Sequence, residues 1–299
     1  MSKIGFIGLG NMGAPMAINL AKVGHKLKCF DASADAMLAT SRHGLASATS
    51  FADVVEDADV VILMLPSGSI VATVAKEILP VMKKGSLLID CSTIDVASAK
   101  SLQTVAAKFG VHCLDAPVSG GVGGATAGTL TFMVGGSAKA FTVGAPLFEA
   151  MGQRAVHCGD GGSGQAAKIC NNMLLGISMI GACEAFSLAE SLGLSKEALF
   201  KVISTSSGSC WSVNTYCPVP GVGPKSPADN NYKAGFAANL MLKDLGLSQV
   251  AASQTHANTP LGAHAAKLYK QMVDEGLGDM DFSGIITQMK TKVTTDAKK

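Results

Sequence analysis

The stretch GSGQAAKICNNMLLG, residues 162–176, places Lys168 among the amides of Gln165, Asn171 and Asn172 at the head of a long apolar run. An ammonium taken into such surroundings needs compensation. On a helix these four positions are three or four residues apart and share one face. That face continues as Leu175, Gly176 and Met179, so its polarity lasts about two turns and then stops. A solvated face would stay polar along its length, whereas a short polar island at a domain junction marks a cleft. A lysine withdrawn from water gives up its proton more readily. That is the service a base performs for an alcohol being oxidised.

An oxidation needs an acceptor, and the N-terminus carries a candidate site for one. GFIGLGNMG contains Gly8-x-Gly10-x-x-Gly13, with Leu9, Asn11 and Met12 between the glycines. The motif follows a strand pattern and opens a helix pattern, which is the context a dinucleotide fingerprint requires. Glycines permit a tight turn and close approach of a pyrophosphate, and the helix N-terminus supplies amides and the positive end of a dipole. Asp31 ends the next strand pattern, KLKCFD, about 20 residues on, where a carboxylate accepts from both ribose hydroxyls. No arginine follows it in DASAD to hold a 2′-phosphate, so the expected cofactor is NAD and not NADP. Leu65 and Pro66 in MLPSG, and Ser92 and Thr93 in DCSTID, also follow strand patterns. Ligands of open α/β sheets sit outside such strand ends.

A second glycine-rich segment, DAPVSGGVGGATAGTLTFMVGG, spans 115–136. Ser119, Gly120 and Gly121 follow a strand end and offer consecutive amides and a hydroxyl to a carboxylate. No helix-forming run follows these glycines directly, so the segment is expected to be a loop and not a second fingerprint.

The elements that must hold these residues fall into two halves. Up to about residue 160, short apolar runs such as KIGFIGLG, VVILMLP and GSLLIDCST alternate with helical segments, as in a Rossmann-type, mostly parallel, doubly wound sheet. After GDGGSG the apolar runs lengthen and lose strand punctuation, which indicates an all-α C-terminal domain. The expected division is an NAD-binding domain over 1–162 and a helical substrate and oligomerisation domain over 163–299. Ser163 or Gly164 is the expected cap of the first helix. One irregular interruption, SGSCWSVNTYCPVPGVGPKSPADNN, is long enough to be functional. It carries Trp211, the single tryptophan, and Tyr216; these aromatics could wall a substrate methyl group or simply pack.

Composition narrows the classes. The chain has 299 residues, 48% of them hydrophobic and 15% charged, with a net charge of +2. That is a two-domain length without the field that would draw nucleic acid. The eight cysteines form no CxxC pair and do not cluster with the six histidines, so no metal is expected, and single cysteines in apolar segments suggest buried hydrophobes in a reducing compartment. The start, MSKIGFIGLG, enters a strand directly, and the apolar stretches are interrupted by Gly, Pro or Asn. A cytoplasmic protein without a signal peptide or membrane span is expected. The final KTKVTTDAKK reads as a frayed polar tail.

Four segments, GFIGLGNMGAPMAINL, DAPVSGGVGGATAGTLTFMVGG, GQAAKICNN and LKDLGL, together resemble the motifs of the β-hydroxyacid dehydrogenase family, in the family's order. The resemblance implies NAD-dependent oxidation of a small hydroxy acid. The loop SSGSCWSVNTYCPVPGV with NNYKAGF resembles more narrowly the valine-catabolic branch of that family, which implies oxidation of (S)-3-hydroxyisobutyrate to methylmalonate semialdehyde. By resemblance Lys168 is the proton-transfer group, and Asn172 places lysine and substrate. Ser119, Gly120 and Gly121 hold the substrate carboxylate. Lys243 closes over cofactor and substrate with Asp244 beside it, and Leu65, Pro66 and Thr93 touch the cofactor. A homodimer or homotetramer is implied. Rival readings are a related dehydrogenase or reductase handling L-serine or tartronate semialdehyde, an NAD-binding sensor, and an imine reductase. Lys168 with Asn172 speaks against the last two.

Overall fold

In the computed structural model, which describes residues 1–289, the chain divides into two compact units, Met1–Lys168 and Ile169 onward. The polar tail expected to fray, 290–299, lies outside the described residues.

The first unit is built on a nine-stranded sheet. Its strands are β1 (Lys3–Ile7), β2 (Lys26–Phe30), β3 (Ala46–Ser47), β4 (Val60–Leu63), β5 (Leu87–Asp90), β6 (His112–Asp115), β7 (Val118–Ser119), β8 (Leu130–Gly135) and β9 (Gly152–Gly159). The order is β3-β2-β1-β4-β5-β6-β8-β7, with β9 on β8. β1 to β6 run parallel, and β8 is antiparallel to β6. The order reverses at β1, so the crevice expected to take a ligand opens at the ends of β1 and β4.

Two cores explain the continuous apolar runs. Val60 and Ile62 of β4 and Leu87 and Ile89 of β5 pack into one cluster, while Val61, Leu63 and Leu88 pack into another. Successive side chains point to opposite faces of a strand, so a sheet covered on both faces needs an apolar residue at every position. The helices of this unit are α1 (Gly13–Lys22), α2 (Ala34–Ser41), α3 (Phe51–Val55), α4 (Gly68–Ile78), α5 (Val96–Lys108), α6 (Gly121–Ala127) and α7 (Ala138–Met151). Ser33, Ser50, Ser67, Asp95 and Ser137 cap α2 to α5 and α7 by accepting from backbone amides in their first turns.

α6 corrects the sequence reading, because a short helix does follow Gly120 directly. Its GVGGATA sequence has poor intrinsic propensity. Burial of Ala125 and a left-handed Gly128 at its end outweigh that deficit locally.

α8 (Ser163–Ser191) begins in the first unit and runs on into the second, which is otherwise formed by α9 (Lys196–Ile203), α10 (Trp211–Asn214), α11 (Ala238–Thr255) and α12 (Pro260–Met272) with short 3₁₀ and π turns. Its core joins Met179, Ile180 and Cys183 of α8 to Met241 and Leu245 of α11 and Tyr269 of α12. The α/β half and the helical half are thus borne out. By length and composition α8 could cross a membrane, with a mean hydropathy of 1.4 in its most apolar window. Gly176 and the two asparagines lower hydropathy without ending the helix. Five cysteines are buried as expected, whereas Cys170 is exposed and Cys158 and Cys210 are intermediate.

Candidate active site

The glycine loop closes β1 and enters α1. Gly8 stands at a φ of 99°, and a Cβ there would meet the Met64 carbonyl oxygen. A Cβ on Gly13 would meet the Gly8 carbonyl oxygen, so neither position accepts a side chain without moving backbone. Gly10 faces open space, and Gly10 and Asn11 are exposed beside a half-buried Met12. No side chain caps α1. A loop lying tight against the strand ends, open on its outer side and followed by uncapped amides, fits a dinucleotide pyrophosphate.

Leu9 differs from its neighbours in that its side chain is buried in the sheet core. Its N–H donates to Asp31 Oδ2 at 2.6 Å, and Ser33 N–H donates to Asp31 Oδ1 at 2.7 Å. Asp31 therefore sits at the end of β2, oriented by two amides, with lone pairs left for ribose hydroxyls.

Ser92 joins the next two strand ends. Its Oγ accepts from Leu65 N–H at 2.9 Å, and its own N–H donates to Asp90 Oδ1 at 3.0 Å. Leu65 and Thr93 are partly buried and Pro66 is exposed, all at carboxyl ends of parallel strands. Ser119 ends β7, opposite Thr131 of β8, and Gly120 and Gly121 enter α6.

The polar island on α8 is real but narrower than expected. Gln165 is 0%, Lys168 7% and Asn172 2% exposed, while Asn171 is exposed. Gln165 Nε2 donates to Ser92 O at 2.7 Å, and its Oε1 accepts from Ile94 N–H at 3.1 Å. The start of α8 has a carboxylate that the sequence reading missed. Gly162 and Gln165 N–H groups donate to Asp115, at 2.8 and 2.9 Å. The partner expected from Ser163 or Gly164 for these amides comes instead from the end of β6, 47 and 50 residues away. Burial pushes the Asp115 carboxyl above its usual range, against the opposing pull of these amides.

In the second unit, Asn172 Nδ2 donates to Asp244 Oδ2 at 2.6 Å, and Asn172 Oδ1 accepts from Asn171 Nδ2 at 2.9 Å. Lys243 Nζ lies 3.6 Å from Asp244 Oδ1. Trp211 stacks on Tyr216 at 4.8 Å, and Tyr216 stacks on Phe282 at 5.5 Å. The Tyr216 hydroxyl donates to Asp281 Oδ2 at 2.9 Å. Asp281, buried and unremarked in the sequence, also accepts from Gly235, Phe236 and Ser283 amides and so ties the Tyr216 hydroxyl to the 235–236 backbone. No group of three or more His, Cys, Asp or Glu side chains is placed to hold a metal among the described residues.

A glycine loop at a topological switch point, with an amide-oriented acid at the end of the neighbouring strand, is the arrangement of a dinucleotide-binding fold, and a buried lysine follows on α8. Residues 3–159 match the family described as the NAD binding domain of 6-phosphogluconate dehydrogenase, and residues 162–289 match the NAD-binding domain of NADP-dependent 3-hydroxyisobutyrate dehydrogenase. A probable 3-hydroxyisobutyrate dehydrogenase of Mycobacterium tuberculosis is 47% identical over 98% of this chain and 99% of its own. The human mitochondrial 3-hydroxyisobutyrate dehydrogenase is 49% identical over 97% of this chain and 88% of its own. A solved structure of the M. tuberculosis enzyme with L-serine superposes with a TM-score of 0.94 at 47% identity, covering 97% of this chain and 99% of that one. The chain belongs to the β-hydroxyacid dehydrogenase family, in its 3-hydroxyisobutyrate dehydrogenase branch.

Proposed function

We propose that the chain oxidises (S)-3-hydroxyisobutyrate to methylmalonate semialdehyde, with Lys168 as the proton carrier. The observation that carries this reading is Lys168 itself, 7% exposed on a helix whose first turn is bonded to the strand-end segment 92–94. Bound NAD supplies the hydride acceptor. Lys168 Nζ takes the hydroxyl proton as the carbinol C–H electron pair leaves and the C=O bond forms; in the reverse direction it returns that proton. Asn172 orients substrate and lysine. An amide NH₂ carries two hydrogens, so its bond to Asp244 leaves one for this task. Ser119, Gly120 and Gly121 take the substrate carboxylate, and Lys243 takes the cofactor beside Asp244.

Asp31 supports NAD over NADP, since its carboxylate would repel a 2′-phosphate. The two family matches end at 159 and begin at 162, which supports a domain division at 162/163. Leu174 and Leu188 of α8 are 63% and 61% exposed, which supports self-association as a homodimer or homotetramer; we place the enzyme in the cytoplasm. A second substrate, L-serine, is favoured by the ligand of the mycobacterial structure.

The test is reduced-cofactor absorbance with (S)-3-hydroxyisobutyrate, L-serine or glycerate, each with NAD or NADP. Turnover with 3-hydroxyisobutyrate and NAD is expected to lead. Lys168→Ala should lose at least ~100-fold in kcat while still binding NADH. No turnover with any pair would overturn the reading.

A further inference from the structure

We propose that Asp115 and Gln165 are positioning residues for Lys168, clamping the first turn of α8 to the ends of β5 and β6. The inference rests on Lys168 being the proton carrier.

Asp115 ends β6 and is 2% exposed. Its Oδ1 accepts from Gly162 N–H and from Gln103 Nε2, the latter at 3.1 Å, and its Oδ2 accepts from Gln165 N–H. The first amides of a helix have no partner inside the helix, and a carboxylate there both satisfies them and complements the dipole. Gln165 adds a second attachment through its side chain. Its amide donates to Ser92 O and accepts from Ile94 N–H, on either side of Thr93. Both partners are backbone groups, so the side chain fixes the helix against the strand end and not against another mobile side chain.

The seat leaves no slack. A Cβ on Gly164 would meet the Met133 carbonyl oxygen and stand 2.6 Å from Asp115 O and 2.9 Å from Asp115 Oδ2. Only a glycine allows the helix start to lie directly on the ends of β6 and β8. Lys168 follows Gln165 by three residues, about one turn and ~4.5 Å along the axis. With its origin fixed on three sides, the lysine inherits the precision of the sheet. A misplacement of about 1 Å at a reacting group costs about 100-fold in rate.

A double-mutant cycle separates positioning from general support of the fold. Gln165→Leu and Asp115→Asn are each made alone and in the Lys168→Ala background. Alone, each should lower kcat about 10- to 100-fold, with KM and the NADH Kd held within about threefold. The primary deuterium isotope effect on kcat should rise, because hydride transfer becomes limiting. In the Lys168→Ala background neither should lower the residual rate further, since what they position is gone. Gln165→Glu, which keeps the acceptor for Ile94, should recover part of the loss. If Asp115→Asn does not fold, Gln165→Leu and Gln165→Glu decide. The proposal is overturned if the Gln165 variants keep the parent kcat, or if the losses multiply with that of Lys168→Ala. Failure of the underlying reading looks different: Lys168→Ala itself would then turn over at the parent rate.

Discussion

Asp90 ends β5 with its carboxyl wholly buried, and replacing it by asparagine tests how that burial is tolerated. Its Oδ1 accepts from Ser92 N–H, while its Oδ2 has no hydrogen-bond partner among the described residues. Across the ladder its register partner is another acid, Asp115. Burial, with the neighbouring Asp115 adding to it, pushes the Asp90 carboxyl up from 3.8 to about 7. The folded form therefore holds a proton that the unfolded chain releases. Below about pH 4 both states are protonated and the group is neutral in its effect. Between about pH 4 and 7 only the unfolded state ionises, so the parent loses stability as pH rises, and above about pH 7 the loss is complete. Three units at about 1.4 kcal/mol each give about 4 kcal/mol. Asp90→Asn keeps the shape and the Oδ1 acceptor and removes the titration. In a unit of this size the melting temperature of Asp90→Asn relative to parent should rise by on the order of 10 °C between pH 4 and pH 8. Far-UV circular dichroism is the suitable probe, because the single tryptophan lies in the other unit. A difference between variant and parent that stays flat across this range would refute the reasoning.

Three further perturbations address the site. Asp31→Ser removes a charged acceptor worth about 1.5–3 kcal/mol per hydrogen bond, so the ratio of kcat/KM for NAD over NADP should fall at least ~10-fold; an unchanged ratio excludes a ribose role. Gly13→Ala forces the Gly8 carbonyl to move, and NADH titration should show Kd rising at least ~10-fold. Tyr216→Phe deletes one donor to Asp281 and should lower stability by about 1 kcal/mol in urea, with a shift in the emission of Trp211 stacked beside it.

Much of this molecule is legible from local pattern. The strands of the first unit read as unbroken apolar runs because each apolar residue of β4 or β5 enters one of two cores. The glycine loop is legible because its spacing encodes close backbone contacts within a few residues of itself. Lys168, Gln165 and Asn172 are legible because helical spacing puts them on a common buried face, from which Asn171 departs. α6 is not, because GVGGATA lacks propensity and is held by burial of Ala125 and its left-handed Gly128.

The residues that escaped notice are carboxylates whose partners are distant backbone amides. Asp115 reaches 47 and 50 residues forward to cap α8, and Asp281 reaches back 46 and 45 residues to Gly235 and Phe236. No spacing rule covers such a bond, since a main-chain N–H is present at every non-proline position and so leaves no mark in the sequence. What does leave a mark is the acid itself. An aspartate closing an apolar strand, as in HCLD or LLID, must be neutral, paired or amide-bound once the strand is buried. Asp90 and Asp115 are adjacent instances with different outcomes: burial raises the first so that it holds its proton until about pH 7, and the second takes up the start of the helix that carries Lys168. A buried strand-end acid in a sheet of this kind is therefore a pointer to the element seated on it, and here that element carries Lys168.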